Sequence, residues 1–583
     1  MSSDDRNAHE RPSPLLHEAI PRPSEYIHGQ PVYIIRKGST ESIGKPALKE
    51  NIAAAKALAS MFKSLLGPNR MQKLLIVQEG RSELIFQTSD MRTILKKIKL
   101  EHPIAQFLAG AAIAASTETG SGAVSTLLLA SQILVECESL IDKGLHQNDI
   151  VDGLTLAYKF VQNALDELSF RLNYSTIETI NKCINCEIRG KVPYHDEHIA
   201  SLLNKVINTI GLEPLKNPDT ELHIDVKKIV GGGINDSFVV NGIALFREPF
   251  HPRMPRRVVG AKIAVIKGEL RIPNKKISRY QDYSFEFDDP NYWTNFEEKR
   301  REFLDLISRS IFEVGANVVA VEKGVDELLI EKFADQNIML IMRFPPPEFD
   351  RFVKIVGAVP VVNTDQLEPS YLGYAEIVEY EKINNEYWVF FKGCKNLHNI
   401  DIVLRGANKY IIDDVERIIN NVIRLARSVA RDDRVVWGGG AIEEEISLLL
   451  QKYAEEIPDK KQLVIEAVAR AFEIIPYVLI ESIGMDPIDG LSRLRSEHVS
   501  GNKSFGVDVI NASLGDVSKH HILDPLPVKK QIINSAFEAA YTIMRIDHLV
   551  RCRQLSEPEK YYVERVKKTS IEELKKKKED IVR

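Results

Sequence analysis

Three glycine-rich turns carry the first chemical signal in the sequence. Gly120-Ser121-Gly122 and Gly438-Gly439-Gly440 each stand directly before a helical pattern, and Gly231-Gly232-Gly233 forms a third cluster. Exposed N–H groups and the dipole at a helix start favour phosphate. A short glycine cluster is more often only a turn, so spacing alone does not assign that role. Cys183 and Cys186 form a C-x-x-C followed by His195 and His198, four soft or borderline donors in sixteen residues. The set suits zinc by composition. Its spacing does not: eight residues separate the pairs, and the histidines are one step closer together than usual. Two core cysteines and a surface histidine pair on a helix are the plainer reading. A further cluster is aromatic: Tyr280, Tyr283, Phe285, Phe287, Tyr292, Trp293 and Phe296. Such residues can stack on single-stranded nucleic acid. Without a basic excess, a protein–protein surface or plain packing fits better.

The chain that positions these residues has 583 amino acids, enough for roughly three or four domains. Hydrophobic residues make up 44% and charged residues 27%, which excludes a wholly disordered chain. Lys and Arg total 77 against 82 Asp and Glu, for a net charge of −5, so a generic nucleic-acid binder is not expected. The apolar run at 107–115 stops at Ser116, well short of the ~20 residues a bilayer span needs, and no membrane association is expected. The N-terminus lacks an apolar signal region, and five cysteines are too few for a disulfide framework, so the expectation is a reducing cytoplasm.

Residues 1–30 carry Pro12, Pro14, Pro21 and Pro23 and read as a disordered tail; the lysine run at 575–578 reads as a charged C-terminal one. Between the tails, Ile52, Ala55, Leu58, Ala59, Phe62, Leu65 and Leu66 recur at helical spacing until Gly67-Pro68 ends the helix. Helical spacing returns at 124–142, 148–172, 441–454, 461–482 and 527–551. Short β-branched or aromatic runs at 263–266, 317–321, 338–342 and 387–391 surround a helical segment at 297–313. The order predicts a discontinuous helical domain whose halves close around an inserted α/β domain.

Across residues 38–550 the sequence resembles the group II chaperonins, the thermosome and CCT subunits. The resemblance rests on NIAAAKALASMFKSLLGPNRMQKLL at 51–75, LEHP at 100–103, HPRMPRRVVGAKIAV at 251–265, GANVVAVEKGVDEL at 315–328, LGYAEIVE at 372–379, GCKN at 393–396, VLRGANK at 403–409, GGGAIEEE at 438–445, GMDPID at 484–489 and GNKSFGVDV at 501–509. It implies a multi-domain α and α/β fold: a mainly helical equatorial ATP domain at 31–175 and 437–560, and a mixed intermediate domain at 176–243 and 397–436. An α/β apical domain at 244–396 would carry a helical lid protrusion at about 272–300, with a charged tail at 561–583. It implies ATP or ADP with Mg²⁺ as cofactor, held around Leu66, Gly67, Pro68, Gly120, Ser121, Gly122, Ala123, Val124, Ser125, Gly438, Gly439, Gly440 and Asp516. It further implies clients contacted near Val325, Leu328, Leu329 and Phe333, and sibling chaperonin subunits and non-native proteins as partners.

The departures from the family pattern fall at the nucleotide. The family loop G-D-G-T-T-T is here Gly120-Ser121-Gly122-Ala123-Val124-Ser125, so Ser121 stands where the family's metal-holding Asp does. Its hydroxyl is a poor ligand for Mg²⁺. The family Asp that aligns the attacking water is Asn421, which cannot accept a proton. Asp90 is retained, within Ser89-Asp90-Met91-Arg92-Thr93 in place of N-D-G-A-T, and Trp437 replaces a Pro. The expectation is a ring subunit with impaired or absent hydrolysis. The alternatives are an active subunit whose metal site is rescued by Glu118 or another nearby carboxylate, or a client-binding scaffold outside any ring. Arg92 either supplies part of the missing Mg²⁺ charge or, more plainly, faces solvent or a neighbouring subunit.

Overall fold

Helices from the early and late parts of the chain pack into one core, as the spacing predicts. In this computed structural model the described residues are 25–27, 30–32, 40–79, 82–192, 194–217, 223–271, 290–395 and 399–551. The expected C-terminal tail and residues 280–287 of the aromatic cluster lie outside them, as does the tail at 1–30 apart from Glu25–Ile27 and Gln30, which belong to a short hairpin. Helix Lys45–Phe62 buries Leu48, Ile52, Ala55, Leu58, Ala59 and Phe62 along one stripe. Helices Pro103–Thr119, Ala123–Asp142 and Gln147–Leu168 follow from the first half of the chain. Helices Ala441–Glu455, Lys461–Phe472, Ile474–Ser482 and Leu526–Met544 join them from the second. One continuous apolar cluster runs from Leu48 to Met544. Gly153 lets the two halves close tightly, since a Cβ there would meet Val464 at 2.6 Å.

Three expectations need correction. The segment 461–482 is two helices meeting at Glu473, because Pro476 has no N–H to donate to Phe472. The last helix ends at Met544, and His548–Arg551 instead pairs antiparallel with Thr40–Ile43, tying the two ends of the described chain together. Helix Ala123–Asp142 is long and apolar enough to cross a bilayer by length and composition, contrary to the reading of short apolar runs; 61% of its apolar window is buried inside the protein, where packing accounts for it.

The middle of the chain forms an eight-stranded mixed sheet. Its order is Met339–Met342, Val318–Val321, Arg257–Ile266, Gly373–Ile383, Glu386–Cys394, Phe238–Phe246, Asn399–Gly406 and His223–Val230. The first three strands are parallel, the next joins are antiparallel, and the last pair is parallel again. All four short apolar runs of the sequence fall in these strands. The expected domain boundary at 243 falls inside Phe238–Phe246, so the sheet passes through it unbroken. Arg351 clamps this region: it pairs with Asp225 and with the fully buried Asp401, which also accepts from the Ala244 N–H at 2.8 Å.

The Phe537 ring meets Tyr158 at 5.5 Å and Phe472 and Tyr541 at 6.5 Å, joining segments from both halves. Phe537→Ala is expected to destabilise the helical core by about 3–5 kcal/mol. Denaturant unfolding followed by far-UV circular dichroism measures it.

Candidate functional site

A cleft of about 270 Å³ opens where the helical halves meet the segment after residue 186. Two long helices point their N-termini into it. Gly122, at φ +97°, starts Ala123–Asp142, and Gly440, at φ +80°, starts Ala441–Glu455; neither start has a side-chain cap. The first N–H groups of Ala123–Asp142 are therefore left for a ligand or solvent, whereas the Ala441 N–H donates to the Gly438 carbonyl at 3.2 Å. Leu66, Gly67, Pro68, Gly120, Ser121, Gly122, Ala123, Val124, Ser125, Gly439 and Gly440 all line the cleft, as do Asp90 and Asn421. The turn at 120 is pinned by geometry: a Cβ on Gly120 would run into the Asn421 carbonyl, and one on Gly122 would meet Ile532 at 2.5 Å.

Two expected residues are placed elsewhere. Asp516 caps its own turn, accepting from the Ser518 N–H at 3.0 Å, and Asp524 on the next strand is the acid that lines the cleft. Gly438 packs behind its two neighbours, where a Cβ would sit 3.2 Å from the Asp524 carboxylate. Gly231-Gly232-Gly233 is a turn at the sheet, closed by Gly231 N–H to the Gly406 carbonyl at 2.7 Å.

Charge in the cleft is distributed in a way the sequence did not show. Ser121 donates its hydroxyl to Glu187 at 2.9 Å, and Glu187 also bonds Lys191; burial, and then the nearby Arg70, hold that ammonium well below the ordinary lysine range. Asp524 is held by Lys529 at 2.9 Å, and Lys529 also pairs with Glu443; burial opposes the charge of Lys529, but the two acids together hold it firmly protonated. Asp90 spends one oxygen as a helix cap, accepting from the Thr93 N–H at 3.0 Å and its hydroxyl at 2.7 Å. Arg70 and Arg92 also line the cleft. Arg92 donates to the Ser116 hydroxyl at 3.1 Å, which corrects the reading that it faces away. Glu118 is exposed and does not line the cleft.

The residues present do not fit a divalent cation. Each acid that lines the cleft is already engaged by a cation or a cap, and among the described residues no three His, Cys, Asp or Glu gather to hold a metal. Of the C-x-x-C pair, Cys183 is a core residue as the plainer reading has it, whereas Cys186 is half-buried and lines the cleft. Burial pushes Cys183 well above the usual thiol range and Cys186 up to about 11. His195 and His198 turn to Asn235 and to the Ser237 carbonyl.

Val325, Leu329 and Phe333 correct the expected client surface. They are at most 2% exposed, on the apolar stripe that seats helix Glu327–Asp335 on the sheet; Leu328 is half-buried. Exposed apolar side chains stand instead on helix Pro290–Glu313, at Phe303, Leu306 and Phe312.

The fold and the cleft are those of a chaperonin-type chain, and comparison with known proteins agrees. The TCP-1/cpn60 chaperonin family model matches residues 58–554. The thermosome subunit alpha of Aeropyrum pernix is 35% identical over 529 residues, covering 90% of this chain and 94% of that protein. A thermosome subunit of Pyrococcus horikoshii is 33% identical over 535 residues, covering 91% and 95%. Thermosome subunit alpha of Thermoplasma acidophilum is 33% identical over 530 residues, covering 91% and 96%. The chain belongs to the TCP-1/cpn60 chaperonin family.

Gly120→Ala is expected to destabilise the protein by about 1–3 kcal/mol, because the φ of +83° and the Asn421 carbonyl both oppose a Cβ. Gly110→Ala, mid-helix with open space around it, is expected to be neutral or stabilising by up to about 1 kcal/mol. Paired denaturant titrations separate the two.

Proposed function

We propose that this chain is a subunit of a group II chaperonin double ring that binds non-native proteins and assists their folding, and that it hydrolyses ATP poorly or not at all. Sibling subunits with intact acids carry the turnover. Family membership supports the chaperonin role. The observation that carries the specialisation is the Ser121–Glu187 hydrogen bond, with Asn421 beside the same turn. At the position where the family has a metal-holding carboxylate, this chain has a hydroxyl already committed to a paired acid. Asn421 can orient a water but cannot take its proton. Glu118, one carboxylate that could rescue a metal site, is exposed and does not line the cleft.

Together with family membership, the open start of Ala123–Asp142 and several lining cations support adenine nucleotide as the ligand. Exposed Phe303 and Leu306 on the insert support capture of apolar client segments.

Phosphate release from ATP and Mg²⁺ tests the proposal. The comparison is a chain restored with Ser121→Asp and Asn421→Asp, made together with Glu187→Gln because a new carboxylate at 121 would face Glu187. The natural chain is expected to be slower by about a hundredfold or more. Equal rates would show that the natural site is active and overturn the impaired reading. Purification from the native host is expected to bring sibling subunits along, and homo-oligomers alone would overturn the specialised role.

A further inference from the structure

Not every cation of the cleft is answered by an acid. Glu187 belongs to Lys191, and Asp524 and Glu443 belong to Lys529. Arg92 has the Ser116 hydroxyl as its hydrogen-bond partner, and among the described residues no carboxylate lies within ion-pair distance of it. A second guanidinium, Arg424, lies close enough for Arg92 to oppose its charge; after burial, Arg92 is the main influence holding it below the ordinary arginine range. The Arg424 Nη1 is buried and meets no acceptor. Its Cβ flanks Gly120, so Arg424 stands behind the turn and backs Arg92, which lines the cleft itself. On the other side, Arg70 lines the cleft with a buried Nε that meets no acceptor; burial holds it below the ordinary arginine range, while Asp414, Asp90 and Asp196 act on its charge in the opposite direction. Like charges held together with unanswered donors are costly without an anion between them. Guanidinium is also the side chain best shaped to grip phosphate.

We propose that the cleft binds nucleoside diphosphate or triphosphate as the free anion, with Arg92 and Arg424 occupying the electrostatic role that a divalent cation would otherwise fill. This rests on the nucleotide reading of the cleft and reverses its metal requirement. The Ser121–Glu187–Lys191 chain then locks the loop in a metal-free geometry, and the uncapped N–H groups after Gly122 complete the phosphate cradle.

Isothermal titration of ADP into the purified full chain, once with excess EDTA and once with excess Mg²⁺, tests this. Binding in EDTA is expected to be as tight as in Mg²⁺ to within about twofold, or tighter. In EDTA, Arg92→Ala is expected to weaken ADP by about tenfold or more, while Arg92→Lys retains part of the affinity. Unfolding midpoints of the variants show that they remain folded, and Arg424→Ala gives a second reading if Arg92→Ala does not. Binding that falls about tenfold or more in EDTA overturns the proposal and leaves the nucleotide reading standing. So does an unchanged affinity in both folded arginine variants. Failure to bind in either buffer overturns both.

Discussion

The packing of helix Leu526–Met544 against Ala123–Asp142 and Pro103–Thr119 is the contact on which the rest depends. It brings the second half of the chain back onto the first. It also sets the cleft: Ile532 lies where a Cβ on Gly122 would go, so the phosphate-type turn and the returning helix are fitted to one another at backbone distance. Lys529 sits one turn earlier on the same helix and carries its charge into a buried network with Glu443 and Asp524. Removing either acid would leave a buried ammonium short of a partner, which costs several kcal/mol at such sites. The same helix therefore closes the core, shapes the turn and fixes the charge of the cleft wall.

That closure makes an insertion possible. Because the helical halves bury their apolar faces against each other, the sheet between them need not supply the main core. It builds its own, on both faces of the strands around Arg257–Ile266. The connection is polar at its centre, where Arg351 bridges Asp225 and Asp401. Burial pushes the Asp401 carboxyl up to about 6, with Arg351 acting against that rise. A clamp of this kind fixes register more than it adds stability, since a buried ion pair gives back much of its attraction in desolvation.

Local signals were legible in the sequence and non-local ones were not. The helix at 45–62, the stop at Gly67-Pro68, the two glycine turns before helices and the strand runs all follow from spacing along the chain. Asp90 was found, but its engagement by Thr93 needed the coordinates. Arg70, Glu187, Lys191, Asp524 and Lys529 were missed because each matters through a partner or a cleft wall distant in sequence. One signal was available: a charged residue on an apolar helical stripe, such as Lys529 or Glu443, must find an opposite charge. Val325, Leu329 and Phe333 misled for the opposite reason. An apolar stripe on a helix beside a sheet is first of all the face that seats it.

The differences from the family pattern form a single chemical statement. Losing the loop carboxylate alone would leave an empty coordination position beside two helix dipoles. Here the loss is accompanied by a serine that donates to an acid, an acid bonded to a buried lysine, and Arg92 with no carboxylate within ion-pair distance among the described residues. Each change moves the balance of the cleft in the same direction, from one that needs a cation to admit phosphate to one that supplies the cation itself. On the proposed reading, such a site holds nucleotide without driving a cycle, and neighbouring subunits carry the turnover.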